Sequence, residues 1–130
     1  MALTQLKLLV NLARIDGEIA EHERKYITTI GLANGIPAED ITPLFEQHHE
    51  HIDLQHLNNQ QKFDYIVSLV QLMKIDERLY QEEIRYCAHV AARLGYDQAV
   101  MFDLMLHVRE AMQQKELEAL KQITEQYLSR

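Results

Sequence analysis

The sequence predicts an all-α protein built from a duplicated helical unit. Two observations support this prediction. Apolar residues such as Leu6, Leu9 and Ala13 recur every three or four positions, which is the spacing of one helix face, rather than every second position as in a strand. The chain also repeats its own pattern after sixty residues. Together they place the chain among helical proteins with internal symmetry.

The repeat joins residues 9–35 to residues 69–95, which align without a gap and share eight identical positions. Each half is about sixty residues long and presents a wide apolar face. Halves of this size are small for independent domains, so we expect them to share one core with pseudo-twofold packing. The prediction is a single domain spanning residues 1–130, with internal repeats of approximately 1–60 and 61–130.

The first half begins with two predicted helices, over residues 2–15 and 21–34. Gly35 supplies the left-handed conformation that often ends a helix. Pro37 then suits a helix start, whereas Pro43 breaks or kinks whatever begins there. We expect two short helical pieces, or one bent helix, and then a loop.

The second half is predicted to hold a long helix over residues 59–75, followed by helices over 81–94, 98–112 and 115–128. Apolar residues line one face of the last helix, at Leu117, Leu120, Ile123 and Tyr127. The connecting segment REAMQQKELEA contains no helix breaker. The last two helices are therefore predicted either as one continuous helix or as two.

Composition and charge limit the function. Thirteen basic and twenty acidic side chains give a net charge of −7, which opposes binding to a nucleic-acid backbone. There is no signal peptide and no apolar run that could span a bilayer, and Cys87 is the only cysteine. We expect a cytoplasmic protein without direct membrane insertion and without a nucleic-acid partner.

The segment IDGEIAEHE, residues 15–23, has the pattern of the second half of a calcium-binding loop, D-G-x-I-x-x-x-E. Leu12 and Arg14 occupy the earlier ligand positions, so an ordinary EF-hand is excluded. In the second repeat Glu77 replaces the turn glycine, and Ile19, which should anchor the first corner in the core, is matched by Leu79.

Four carboxylates in these two corners are candidate ligands for a hard divalent cation. Asp16 and Asp76 fall near predicted helix C-termini, where the helix dipole and unpaired carbonyls disfavour a negative charge. A cation bound by those carbonyls with Asp16 and Glu23, or with Asp76 and Glu83, would remove that penalty. The metal could be calcium, magnesium, manganese or zinc, and no organic cofactor is expected.

The alternative is that these corners are architecture alone. If Ala20 and Tyr80 cap the helices that follow, Glu23 and Glu83 are third residues, where glutamate can bond to the cap amide and complement the helix dipole. The aspartates would then accept amide hydrogen bonds in the turn. The residues alone leave both interpretations open.

Other reactive side chains form no recognisable site. His48, His49, His51 and His56 lie in a segment without helical periodicity, and we expect an exposed, mobile connection without a native ligand. The glycines form no phosphate loop, and Cys87 falls on a predicted buried face. We therefore expect no catalytic activity.

The repeated pattern L-x-x-I-D-G-x-I-x-x-x-E, returning as L-x-x-I-D-x-x-L-x-x-x-E, resembles the TerB-like family of tellurite-resistance proteins and related co-chaperone domains. The resemblance covers most of the chain and is strongest over residues 8–35 and 68–95. It implies a compact bundle of about seven helices and an acidic cluster that binds divalent metal, with Asp16 and Glu23 in the first unit and Asp76 and Glu83 in the second.

The resemblance also implies a role in bacterial stress responses, through assemblies with protein partners. The sequence therefore favours a cytoplasmic, non-enzymatic domain that binds a divalent cation or serves as a scaffold. The alternative is a purely structural protein–protein interaction module without a native metal.

Overall fold

Seven α-helices and one 3-10 helix account for the regular structure in the computed structural model, which describes residues 2–15, 17–75 and 81–128. The all-α prediction is confirmed: within these residues the only strand-like feature is an isolated bridge between Tyr96 and Leu128. In chain order the elements are α1 (Ala2–Ala13), α2 (Glu21–Ala33), α3 (Ala38–Ile41), the 3-10 helix (Thr42–Glu46), α4 (Asn59–Ile75), α5 (Gln81–Arg93), α6 (Val100–His107) and α7 (Gln114–Glu125).

The chain divides into two compact units, Met1–Asp53 and Leu54–Arg130. In the first unit α1 packs on α2 and on the 3-10 helix, and α2 packs on α3. In the second unit α4 contacts each of α5, α6 and α7. The long helix is therefore the centre of the second unit, and the prediction of one domain with a shared core stays a prediction.

The core of the first unit comes from one face of α1. Leu6, Leu9 and Val10 are completely buried, and Ile27 of α2 and Ile41 of α3 are buried with them. These α1 residues follow the three-to-four spacing that predicted the helix. Burial of each large aliphatic side chain stabilises the fold by roughly 1.5–3 kcal/mol.

A Schellman motif ends α2. Gly35 has φ of +83°, its amide donates to the Leu32 carbonyl at 3.0 Å, and the Ile36 amide donates to the Gly31 carbonyl at 3.0 Å. Glycine adopts this left-handed conformation without the steric penalty of a β-carbon. The predicted helix end at Gly35 is confirmed.

The same motif ends α5 in the second unit. Gly95 has φ of +100°, and the Tyr96 amide donates to the Ala91 carbonyl at 3.0 Å. Each residue of this motif lies sixty positions after its counterpart in the first unit. The two helix ends therefore use the same hydrogen bonds in the same register.

Two short helices follow α2, which is one of the two arrangements predicted from the prolines. Pro37 is the N-cap of α3, and Pro43 lies in the first turn of the 3-10 helix, where its missing amide costs no helical hydrogen bond. Leu44 and Phe45 of that piece are buried. The prolines thus divide this segment into two helices while its apolar side chains stay buried.

The long helix α4 spans the predicted residues 59–75. It begins with a reciprocal capping box, in which the Gln61 amide donates to Asn58 Oδ1 at 2.8 Å and the Asn58 amide donates to Gln61 Oε1 at 3.0 Å. Ile66, Leu69 and Val70 are completely buried. Both the start and the apolar face of α4 follow from its sequence.

Helix α6 is shorter than the predicted residues 98–112. It ends at His107 because Val108 is extended and the Lys74 ammonium takes the free carbonyls, donating to Met105 O and Val108 O at 2.6 Å each. Helix α7 then starts separately after Gln113, whose amide donates to Glu116 Oε1 at 3.1 Å. The last two helices are therefore two elements.

We predict that Gly31→Ala destabilises the first unit. A β-carbon there would lie 2.6 Å from Ile41 Cδ1 and 3.0 Å from Leu6 Cδ1, in a buried contact. Overpacking should outweigh the gain in helix propensity and lower the free energy of unfolding by about 1–2 kcal/mol. Urea denaturation of the single variants and of Gly31→Ala with Ile41→Val measures this.

The double variant is the control, because valine lacks the Cδ1 atom that causes the closest clash. Its loss of stability should be smaller than the sum of the two single losses by about 1 kcal/mol. Strict additivity of the two changes would contradict the steric explanation.

Candidate functional site

The first acidic corner follows α1 directly. Ile15 and Gly17 close the turn, since their amides donate to the carbonyls of Leu12 at 3.2 Å and Arg14 at 2.9 Å. Gly17 has φ of +102°, and a β-carbon added there would meet no atom within 4 Å, so glycine is needed for its conformation rather than for space. Asp16 lies outside the described residues.

Glu23 sits at the third position of α2 and closes its first turn. Its side chain is buried, with 5% of the residue exposed, and its Oε1 accepts a hydrogen bond from the Ala20 amide at 3.0 Å. Ala20 is the N-cap, in extended conformation. The capping role that the sequence offered as an alternative is therefore confirmed for Glu23. Its charge also complements the positive end of α2.

The second corner is described on one side only. Helix α4 ends at Ile75 and α5 begins at Gln81, so Asp76, Glu77, Leu79 and Tyr80 lie outside the described residues. Glu83 occupies the third position of α5 and is 4% exposed. Glu23 and Glu83 thus have the same helical position and the same burial in their own units.

Cys87 lies one turn after Glu83 and is buried, as the sequence predicted. Burial raises the pKa of its thiol to about 12, and the negative charge of Glu83 adds to the shift. A thiol with such a pKa is protonated at neutral pH and is a poor nucleophile. Cys87 therefore contributes packing to the second unit.

The part of the chain that the structure describes contains one of the two predicted metal ligands of each corner, Glu23 in the first and Glu83 in the second. Within residues 2–15, 17–75 and 81–128 no group of three or more histidine, cysteine, aspartate or glutamate side chains is placed to hold a metal ion. Glu23 and Glu83 belong to different units, and Asp16 and Asp76 fall outside these ranges. The cation site stays a prediction.

An amide side chain fixes the connection after the short helices in the first unit. Asn11 Nδ2 donates to the His49 carbonyl at 2.6 Å, and the His49 amide donates back to Asn11 Oδ1 at 3.1 Å. In the second unit Gln71 Nε2 donates to the Arg109 carbonyl at 3.0 Å. Both members of the second pair lie sixty residues after those of the first.

These bonds are ones that sequence reasoning missed, although the register held a signal for them. Asn11 and Gln71 are both amide side chains, and they occupy equivalent positions in the sixty-residue register. A polar residue retained at one repeat position indicates a backbone group that needs a partner. Asn11 and Gln71 thus bond to backbone groups at the same position of the register. The sequence repeat also predicts that Asp16 and Asp76 lie at equivalent helix ends, and both residues fall outside those that the structure describes.

The histidine segment is more ordered than predicted. His48, His51 and His56 are exposed as expected, but His49 is buried and its Nε2–H donates to the Leu44 carbonyl at 3.0 Å. The prediction of a wholly exposed connection was wrong for His49, because Asn11 holds its backbone inward. Ile52, Leu54 and Leu57 are also buried along this segment.

The environment of His49 lowers the pKa of its imidazole. Burial is the main cause, and the positive charges of Lys7, His48 and Arg14 add to it, while the bond to the Leu44 carbonyl acts in the opposite direction. The neutral ring is therefore the form that the fold favours. The neutral ring satisfies the buried Leu44 carbonyl through its Nε2–H.

Helix α6 presents the most exposed large apolar side chains in the described residues. Phe102 is 81% exposed and Leu106 is 74% exposed, one helical turn apart. We call this pair the α6 ridge. Periodicity alone assigns both residues to an apolar helix, so it gives no sign that they face outward.

A groove runs beside this ridge, between α6 and α7, with a volume of about 360 Å³. We call it the α6–α7 groove, and its apolar lining consists of Leu106, Met112, Ala119, Leu120 and Ile123. Arg109 and Glu116 form an ion pair at its edge. The ridge and the groove share Leu106, so they form one continuous apolar surface.

Comparison with known proteins adds no relative. Family models, curated proteins and solved structures all lack a match to this chain. Within the described residues, every helix is too short or too polar to cross a lipid bilayer.

We predict that His49 makes the stability of the protein depend on pH. The folded state lowers the pKa of His49, so the unfolded chain takes up a proton first as the pH falls below about 6.5. The free energy of unfolding is then fully present above pH 6.5 and decreases as the pH falls toward the folded-state pKa. Urea denaturation at several pH values between 7.5 and 5.5 measures this slope.

His49→Gln removes the titrating group and should flatten that slope. His22→Gln is the matched control, because His22 is exposed and is not among the charges that act on His49, so it should keep the slope of the unchanged protein. Equal slopes for His49→Gln and the unchanged protein would show that another group is responsible.

Proposed function

We propose that this chain is a non-enzymatic, TerB-like interaction module of the bacterial cytoplasm that acts in stress responses by binding protein partners. The observation that carries this proposal is the α6 ridge. Phe102 and Leu106 expose most of their apolar surface. The second unit has a buried apolar core, and these two side chains lie outside it. Contiguous apolar surface kept in water is typical of an interaction site.

Two further features support the proposal. The all-helical architecture is the one that the resemblance to TerB-like proteins implies. Cys87 is a buried thiol with a pKa of about 12, and the buried His49 donates its Nε2–H to the Leu44 carbonyl. Both are used for packing or for internal hydrogen bonds, which favours binding over catalysis.

A divalent cation at the acidic corners is the second candidate function. The observation that favours it is the burial of two carboxylates, Glu23 and Glu83, at equivalent helix positions. Buried carboxylates require hydrogen bonds, a charged partner or a metal. The Ala20 amide donates such a hydrogen bond to Glu23 Oε1.

We predict that replacing the ridge leaves the fold intact. Phe102→Ser with Leu106→Ser removes side chains that are 81% and 74% exposed, so the free energy of unfolding should change by less than about 0.5 kcal/mol per site. Leu104→Ser on the same helix is the contrast, because Leu104 is completely buried and its loss should cost at least about 2 kcal/mol. Urea denaturation measures all three changes.

A strong loss of stability in the ridge variant would show that Phe102 and Leu106 support the fold. That result would remove the basis for an interaction surface, whatever partner is considered.

We predict for the second candidate that calcium, manganese, magnesium or zinc raises the melting temperature, because a ligand bound only by the folded state must stabilise it. Asp16→Asn with Glu23→Gln removes two charges at nearly constant shape, and glutamine can keep the bond from the Ala20 amide. The shift should disappear in this variant while the circular dichroism spectrum stays unchanged. Asp76→Asn with Glu83→Gln is the matched test of the second corner.

A parent protein that melts at the same temperature with and without each metal would leave the corners as architecture. A metal response that persists in both double variants would place the site elsewhere in the chain.

A further inference from the structure

Residues 47–53 connect the 3-10 helix to the end of the first unit, and we call them the His49 segment. They lie outside every helix of the unit. Asn11 of α1 holds the backbone of this segment through reciprocal bonds with His49, at 2.6 Å and 3.1 Å. The buried His49 ring donates to the Leu44 carbonyl at 3.0 Å, and the same carbonyl accepts the Gln47 amide at 3.3 Å. Side-chain hydrogen bonds therefore attach the segment to the first unit.

One residue of the His49 segment has a backbone conformation that its own side chain disfavours. His51 has φ of +55°, in the left-handed region that residues with a β-carbon rarely adopt. The side chain of His51 is exposed, whereas the next residue, Ile52, is buried. Packing of its neighbours therefore holds His51 in a strained conformation that a released segment would leave. Strain of this kind is characteristic of switch regions.

The charges that act on the His49 ring are positive. Lys7 of α1, Arg14 directly after α1 and the adjacent His48 each disfavour the protonated ring, although burial is the largest effect. The bond to the Leu44 carbonyl acts in the opposite direction. The closed segment therefore keeps His49 neutral, with the pKa of its imidazole below the ordinary value.

Other charged groups near the segment come from the 3-10 helix, from α2 and from the segment itself. Glu46 at the end of the 3-10 helix is exposed, as are Glu50 and Asp53 within the segment. From α2, the Arg24 guanidinium lies 4.6 Å from the centre of the Phe45 ring, which adds a positive charge beside the 3-10 helix. Water screens exposed carboxylates, so they stabilise a proton on a buried ring only weakly.

We propose that the His49 segment is an acid-sensitive switch: when His49 takes up a proton from solvent, the segment leaves α1 while the helices of the first unit stay folded. This inference goes beyond the proposed interaction function and does not depend on it, because the α6 ridge belongs to the second unit. Release uncovers the Asn11 side chain, the Leu44 carbonyl and the Ile52 side chain. The first unit thereby gains a mixed polar and apolar surface in acid.

Two effects drive the release as the pH falls. Opening exposes His49 to water, where its pKa is about 6.5, so protonation favours the open state below that pH. Because the closed state keeps the ring neutral, the open fraction should rise by up to about tenfold between pH 7.5 and pH 5.5. Protonation of the three histidines of the segment also changes its charge from −2 to +1, so Lys7 and Arg14 then repel it.

Amide hydrogen exchange of the whole chain, followed by NMR at pH 7.5, 6.5 and 5.5 and corrected for intrinsic exchange rates, tests the switch. The His49 amide reports the opening, because it donates to Asn11 Oδ1 in the closed segment. Its protection factor should fall by up to about tenfold over this pH range, and should be at least about tenfold below that of amides in the middle of α1 and α2. Low concentrations of urea should leave it unchanged, since a local opening exposes little surface.

His49→Gln separates the titrating ring from the rest of the segment. Glutamine is neutral at each of these pH values and its amide can donate to the Leu44 carbonyl, so the protection factor at position 49 should no longer depend on pH. His22→Gln is the matched control, because His22 is an exposed histidine on α2, and it should keep the pH dependence of the unchanged protein. Asn11→Ala removes the reciprocal bonds and should lower the protection factor of the His49 amide at every pH.

Equal protection at His49 and in the middle of α1, with the same dependence on urea, would show that the segment opens only when the whole unit unfolds, and this overturns the switch. Protection at His49 that is independent of pH in the unchanged protein also overturns it. A pH dependence that persists in His49→Gln would assign the proton to another group and contradict the role of His49. Circular dichroism should give the same helical signal at pH 5.5 and 7.5, and a loss of helix at pH 5.5 would contradict a local release.

Discussion

The fold of each unit depends on hydrogen bonds to the free amide and carbonyl groups at its helix ends. Short helices leave many amide and carbonyl groups without intrahelical partners, and burying such groups unpaired costs about 1–3 kcal/mol each. In this chain side chains supply the partners: Glu23 bonds to the amide before α2, Asn58 and Gln61 bond across the start of α4, and Lys74 bonds to the end of α6. The sharp corners between helices are possible because of these bonds.

This constraint also explains why the acidic corner resembles an ion-binding turn. A left-handed glycine and a glutamate six residues later are what a cation loop needs, and they are equally what a turn into a capped helix needs. In the first corner Gly17 and Glu23 have the second role, through the φ angle of one and the amide bond of the other. The two kinds of turn share this pattern because both need a glycine at the turn and a carboxylate oxygen, which binds the ion in one and the free backbone amide in the other.

The outward position of the α6 ridge follows from the length of α6. Lys74 draws the carbonyls of Met105 and Val108 toward α4, which ends the helix at His107 and buries Val108. With Leu104 and Val108 turned inward, Phe102 and Leu106 are left on the opposite side of the helix. Lys74 thus holds the end of α6 against α4, on the side where Leu104 and Val108 are buried.

Local sequence was sufficient to predict the helical class, the span 59–75 of α4 and the glycine end of α2. These features depend on local periodicity, backbone conformation and capping, which neighbouring residues control. Tertiary structure alone decided that α6 stops at His107, that Asn11 draws His49 into the first unit, and that Phe102 and Leu106 face water. Each of these features depends on a hydrogen-bond partner more than thirty residues away or on which face of a helix packs against the rest of its unit. The residues next to each feature in the sequence determine neither.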